Sequence, residues 1–404
     1  MTVSYYQARD RILAAVQPLA SEEVPLLEAI NRAVTEALIA LRPLPAFDNS
    51  AMDGYAVLTK DCTAGGVLPI VGCLQAGADD NRRLEAGTAM KIMTGAPIPV
   101  GADAVIPFEE TALMSGQVKL LGKVKAGDHI RRQGEDLRPG DLVFDAGTAL
   151  RPAEISLLAS FGQATVRVGR RARVTILATG DELQELGEAL LEGRIVNSNS
   201  WGLAAAIQEL GGIPHMLGIA RDNRDSLREK LSAGLQADAL ITSAGVSAGD
   251  YDLVRDVLEE LGVIQHFWKI NIKPGKPTAF GMHKRTAVFS LPGNPVSALM
   301  TFEEFVRPAL LKMMGHRTFL KPALKARLQE PVSKKSGRLQ LLRVALEFND
   351  GELQIASAGD QNTGIIRTLV RAQGIALLPE NREHFAAGEL LEVHLLGPQP
   401  AFRS

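Results

Sequence analysis

The chain has 404 residues, 46% hydrophobic and 22% charged, with a formal net charge of −2. That is the balance of a multidomain globular protein, and it excludes binding nucleic acid or an acidic membrane by bulk positive charge. Two cysteines, Cys62 and Cys73, and scattered single histidines exclude a disulfide framework and a Cys-rich zinc site.

The start, MTVSYYQARD, is polar and lacks the apolar core of a signal peptide. No stretch approaches the ~20 apolar residues of a membrane span. The expected location is therefore cytoplasmic, with no membrane and no nucleic-acid partner.

From residue 4 to 40 apolar positions recur at helical spacing: Ala8, Ile12, Leu13 and Val16, then Leu26, Leu27, Ile30 and Val34. Pro43 and Pro45 end that region. Short strand-like runs between Gly, Pro and Asp follow over 48–145, as in Gly54-Tyr-Ala-Val57 and Ala104-Val-Ile-Pro107, and predict a β-rich domain. Helical periodicity returns at 150–162.

From Arg171 strands and helices alternate. Val174–Ala178, Ile213–Ile219, Ala239–Thr242 and Thr286–Ser290 read as strands, with helices over 199–210, 224–235 and 251–261. Such alternation predicts a parallel α/β sheet. Residues 320–404 return to strand-like runs and predict a small β barrel or sandwich.

Ligands of open α/β sheets sit beyond the carboxyl ends of the strands. Here those exits read Thr179-Gly-Asp-Glu182, Arg221-Asp222, Ser243-Ala-Gly-Val-Ser-Ala-Gly-Asp250, then Lys269 with Lys273-Pro-Gly-Lys276, and Pro292-Gly-Asn-Pro295. Glycines and hydroxyls suit phosphate, carboxylates suit a hard cation such as Mg²⁺, and lysines suit an anion. Each taken singly has a plainer reading: Asp181, Ser243 and Ser247 as helix caps, Asp222 as the cap of the next helix. Their clustering at one edge favours a binding role. Walker A, Gly-x-Gly-x-x-Gly and Gly-x-Ser-x-Gly motifs are all absent.

Taken together, seven motifs resemble the molybdopterin molybdenumtransferases, the MoeA and gephyrin E-domain family. They are Phe47-Asp-Asn-Ser-Ala-Met-Asp-Gly-Tyr-Ala56, Met93-Thr-Gly-Ala-Pro97, Arg131-Arg-Gln-Gly-Glu-Asp136, Thr179-Gly-Asp-Glu-Leu183, Gly245-Val-Ser247, Ile272-Lys-Pro-Gly-Lys-Pro277 and Leu291-Pro-Gly-Asn-Pro-Val-Ser297. They run in the family's order.

The resemblance implies a multidomain α/β plus β fold. Its parts are a helical N-terminal segment (1–47 with 137–170), an inserted β-rich domain (48–136), a parallel α/β molybdopterin-binding domain (171–319) and a C-terminal β barrel (320–404). It implies a Mg²⁺-dependent (or Zn²⁺-dependent) transferase of molybdenum cofactor biosynthesis that inserts molybdate into adenylylated molybdopterin and releases AMP. It also implies a homodimer that makes transient contact with the molybdopterin adenylyltransferase and with molybdoenzyme delivery proteins.

The family's residues carry over position by position. Catalytic roles fall on Asp53, Thr94, Asp136, Glu182, Asp222, Asp250, Lys273 and Lys276. The molybdate site falls on Lys273, Lys276, Pro277, Ser297 and Arg343, and the metal on Glu182 and Asp250. Other substrate contacts fall on Thr179, Gly180, Asp181, Ser243, Gly245, Ser247, Lys269, Pro292 and Pro295. Two departures stand out: Ala244 replaces a glycine of the pattern, and Gln361-Asn-Thr-Gly364 replaces a Gln-Gly-Ser run. The first narrows the pterin approach by one methyl group, and the second bears on molybdate contacts.

Overall fold

The structure is a computed structural model and describes residues 2–77, 82–244, 253–349 and 351–397. The chain divides into two compact units. One takes Ala37–Asp145 with Leu157–Gln163; the other takes Met1–Glu36, Ala146–Ser156 and Ala164–Ser404.

The smaller unit is built on a six-stranded sheet in the order Ala104–Pro107, Gly54–Val57, Ala89–Ile92, Val67–Leu74, Gln117–Leu120, Thr111–Met114. Tyr55 and Val57 pack into one cluster with Ala104 and Ile106, while Ala56 packs into another with Met90 and Val105. Gly54–Val57 is thus covered on both faces, which is why it reads as a continuous apolar run. The β-rich expectation for this stretch holds.

The larger unit starts with a helix, Tyr5–Ala15, closed at its head by a capping box between Ser4 and Gln7. The helical N-terminal segment expected from periodicity does not extend further. Ser21–Pro25 is a strand paired antiparallel with Thr165–Gly169, and Leu26–Ala29 is one 3₁₀ turn. Pro18 and Pro25 lack the N–H that a continuing helix needs. The apparent second stripe dissolves accordingly: Leu27 is 84% exposed, while Val34 is buried by a bridge to Val168. The 150–162 expectation does produce a helix, Pro152–Ser160.

The α/β region forms a second six-stranded sheet, ordered Ile213–Ala220, Arg173–Thr179, Ala239–Ser243, Thr286–Leu291, Ala279–His283, Ile264–Phe267. The first four strands are parallel; Ala279–His283 runs antiparallel and turns one edge into a mixed sheet. A continuous helical run from Pro295 to Met313, with a π turn at Phe302–Val306, packs Phe302, Phe305 and Leu310 into the main core.

Five C-terminal strands close on themselves: Leu339–Asn349, Glu352–Ser357, Leu324–Leu328, Leu390–Leu395, Gly374–Leu378, and back to Leu339–Asn349. This is a barrel, as expected. Ile272–Lys273 adds a short parallel strand to it, opposite Leu339–Gln340. The lysine loop is therefore hydrogen-bonded to the barrel sheet. Gly275 in that loop has φ +101°, and a Cβ there would lie 2.4 Å from Thr301 Cγ2, so only glycine fits.

Helix, π turn and barrel meet at a buried polar cluster. Glu304 Oε2 accepts the Tyr5 hydroxyl at 2.5 Å and lies 2.8 Å from His394 Nδ1, while His394 Nε2 lies 3.2 Å from Glu392. Arg9, Glu303, Arg307 and Lys321 line the same recess. Burial alone would push His394 down, but the hydrogen bonds and charges of Glu304 and Glu392 outweigh it and raise its pKa. Burial likewise opposes ionisation of Glu304, yet His394, Lys321 and Tyr5 hold it below the usual carboxylate range. Both directions favour the ion pair over the neutral pair.

A histidine raised on folding adds stability that is complete below its ordinary pKa of about 6.5 and is lost as pH rises through the elevated value. Melting temperature should fall along that limb, and His394→Gln should flatten it. An identical limb in the variant would assign the dependence to other groups.

Candidate active site

In the smaller unit three separated motifs are stitched together. Asn49–Ser50 pairs antiparallel with Ile130–Arg131, and Ser50 exchanges backbone bonds with Gly95 and Ala96. Asp48 accepts from Arg132 Nη1 and from the Gln133 N–H, both at 2.7 Å. Asp53 and Thr94, 41 positions apart, meet directly: one Asp53 oxygen accepts both the Thr94 N–H and its hydroxyl at 2.7 Å. Those two bonds hold the exposed Asp53 carboxyl below its ordinary pKa. The carboxylate is fixed and faces solvent, with the Lys91 charge also favouring its ionised form and, among the described residues, no ion-pair contact. Asp136 is exposed as well, with its backbone N–H on the Leu44 carbonyl.

In the α/β region the strand exits are level. Register pairs Thr179 with Ala220, Ala178 with Ser243, and Ser243 with Leu291. Beyond this edge lies a crevice of about 470 Å³, lined by Glu182, Asn199, Ser243, Pro277, Pro292 and Pro295 among others. Five residues expected from the sequence, Glu182, Ser243, Pro277, Pro292 and Pro295, thus line the same crevice. Gly245, Ser247 and Asp250 lie outside the described residues.

Thr179 and Gly180 are buried behind this edge, and Gly180 takes φ +141° with the Glu182 carboxylate folded against it. Asp181 accepts weakly from the Asp222 N–H at 3.4 Å. Burial, and then the charges of Asp181 and Glu182, raise the Asp222 pKa. The capping role open to Asp222 is filled by its neighbour, since Asn223 caps the Arg224–Gly234 helix. Among the described residues, no three His, Cys, Asp or Glu side chains converge on a metal-sized position.

Ala244, the residue that departs from the pattern, adopts φ +74°. Its Cβ stands 3.2 Å from the position a Cβ at Gly293 would occupy. The sequence pointed to this methyl group; its left-handed backbone is what the structure adds.

Lys273 and Lys276 are exposed. Lys269 pairs through its backbone with Thr2. Ser297 is 3% exposed, inside the first turn of its helix and away from the crevice lining. Arg343 is 1% exposed on a barrel strand. Its Nη2 donates to the carbonyls of Asp360 and Asn362, while Nε and Nη1 are buried with no acceptor among the described residues. Gln361 splints the same residue, accepting from its N–H and donating to its carbonyl. The departing loop therefore still serves Arg343, through Gln361 and two backbone carbonyls. Burial pushes the guanidinium pKa down, partly offset by Asp360. A buried cation with two free donors is costly unless an anion reaches it.

Asn197 and Asn199 line the crevice but carry no expectation from the sequence. The pair of asparagines in Val196-Asn-Ser-Asn-Ser200 read only as the start of a helix. Asn197 does cap that helix, Ser198–Glu209.

Three family models match in order: the MoeA N-terminal region (domain I and II) at residues 3–162, a probable molybdopterin binding domain at 175–312, and the MoeA C-terminal region (domain IV) at 325–396. A molybdopterin molybdenumtransferase of Haemophilus influenzae is 38% identical over 400 residues, 97% of this chain and 99% of the relative. Molybdopterin molybdenumtransferase 2 of Mycobacterium tuberculosis is 37% identical over 92% of this chain and 94% of its own length. A crystal structure of a molybdopterin biosynthesis MoeA protein from Pyrococcus horikoshii superposes with a TM-score of 0.84 at 29% identity, covering 98% of this chain and all of the other. Fold and sequence thus agree, and the chain belongs to the MoeA family of molybdopterin molybdenumtransferases.

Proposed function

We propose that this chain transfers molybdenum from molybdate to adenylylated molybdopterin, cleaving the phosphoanhydride and releasing AMP. The observation that carries the reading is Arg343, a fully buried guanidinium with two donors unspent. Arginine's planar fork suits a tetrahedral oxyanion. Lys273 faces Gln340 on the same barrel strand, three positions before Arg343, and Lys276 follows in the same loop. With Pro277 and Ser297 they form the proposed molybdate pocket.

In this reading Thr179, Gly180, Asp181, Ser243, Gly245, Ser247, Lys269, Pro292 and Pro295 surround the pterin and its phosphates. The starts of the helices at Asn197 and Asn294 open on the crevice and favour its negative charge. Glu182 and Asp250 would hold Mg²⁺ (or Zn²⁺), a cation content with one or two carboxylates plus phosphate oxygens; bound there, it would neutralise charge on the leaving phosphate. Asp181 and Glu182 add to the effect of burial in raising the Asp222 pKa, which fits an edge carrying negative charge. Asp53, Thr94 and Asp136 act from the β-rich domain, supplied across a homodimer.

We assign the domains as 1–47 with 137–170, 48–136, 171–319 and 320–404, and place the protein in the cytoplasm. Among the described residues no helix is long and apolar enough to cross a membrane. The molybdopterin adenylyltransferase and molybdoenzyme delivery proteins are its proposed transient partners.

Purified protein given adenylylated molybdopterin and Mg²⁺ should release AMP in a molybdate-dependent manner. Pterin binding without AMP release under either condition would instead leave a carrier or scaffold. Arg343→Met should lower molybdate-dependent turnover about 100-fold or more while keeping or raising the melting temperature, because an apolar side chain replaces an uncompensated buried charge. A large fall in melting temperature would make Arg343 a structural residue. Asp53→Ala should impair turnover and shift the melting temperature by no more than a few degrees, since the lost carboxylate is exposed; unfolding of the variant would reverse that assignment.

A further inference from the structure

Asn199 ties three separate segments together at the head of the crevice. From the Ser198–Glu209 helix its Nδ2 donates to Ser243 Oγ at 2.8 Å and to the Gly293 carbonyl at 2.7 Å. A carbonyl can only accept, so the amide orientation is fixed, with the nitrogen toward Gly293 and Oδ1 away from it. Asn199 Oδ1 is buried and, among the described residues, has no donor. Native proteins leave few such acceptors unpaired, and each calls for a partner. Ser243 Oγ, already accepting from Asn199, keeps its own proton to give away. Both residues line the crevice.

We propose that Asn199 is a positioning and specificity-determining residue for the heterocycle bound here. Its Oδ1 accepts a ring N–H, and the Ser243 hydroxyl that it orients donates to a ring carbonyl. A fixed acceptor beside a fixed donor reads the donor–acceptor edge of a 2-amino-4-oxo pyrimidine, the outer ring of a pterin. The inference rests on the molybdopterin reading above and adds which residues recognise the ring. An adenine edge offers related chemistry, so the test separates the two.

Equilibrium binding of molybdopterin and of AMP, each alone, is measured on full-length wild type, Asn199→Ala and Ser243→Ala. Asn199→Ala should weaken molybdopterin by roughly tenfold or more, because a site built to hydrogen-bond a group loses most when the partner is removed. AMP affinity should stay within about twofold. Ser243→Ala keeps the Asn199–Gly293 bond and should weaken molybdopterin several-fold.

Equal losses for both ligands would mean that Asn199 only supports the crevice, and would overturn the inference. Loss confined to AMP would overturn it in favour of the nucleotide. A wild type that releases AMP from adenylylated molybdopterin, with both variants binding molybdopterin unchanged, would overturn the inference alone. A wild type that binds no molybdopterin would overturn both readings.

Discussion

Parallel strands that stop on one line organise the larger unit. The register that sets Thr179 beside Ala220, and Ser243 beside Leu291, leaves four strand ends at the same height. Each loop then needs a backbone compact enough to share that edge. Gly180 at φ +141° and Ala244 at φ +74° are what this crowding looks like locally. The crevice is a consequence of register before it is a consequence of any one side chain, which is why turn chemistry and ligand chemistry fall on the same residues.

Charge completes what register begins. The acidic side of the edge gathers Asp181, Glu182 and Asp222, and the Asp222 pKa is raised first by burial and then by its two acidic neighbours. The barrel contributes the opposite sign, through exposed lysines at its added strand and a guanidinium sealed inside. Coulomb energy in a poorly hydrated site is far larger than at a surface. In the proposed molybdate pocket Arg343 would therefore carry more weight than the lysines, although it is the least visible of the three in sequence, a lone arginine within Leu339–Asn349.

Much of this was legible without coordinates. Pro and Gly at 273–277 and 291–295 announced fixed turns, and strand–helix alternation announced the sheet. Level exits then bring Glu182, Ser243, Pro277, Pro292 and Pro295 to one crevice. What misled was periodicity without packing. Leu26, Leu27, Ile30 and Val34 fit a helical stripe, but two prolines and pairing with Thr165–Gly169 outweigh propensity that tertiary contacts readily override. What stayed hidden was the role of asparagine. Asn199 looks like an ordinary residue at a helix start, and only its two hydrogen bonds and its vacant oxygen reveal a side chain shared by three segments.

The pairing of Ile272–Lys273 with Leu339–Gln340 bears on how this protein can be cut and recombined. A boundary drawn near residue 320 looks natural in sequence, yet the barrel sheet extends back to capture a loop some fifty positions earlier. A barrel transplanted alone would leave behind the edge strand that covers Leu339 and Gln340, and an α/β region kept alone would lose the template that straightens its lysine loop. For chimera building, the two behave as a single heritable block whose seam is a backbone ladder and not a linker.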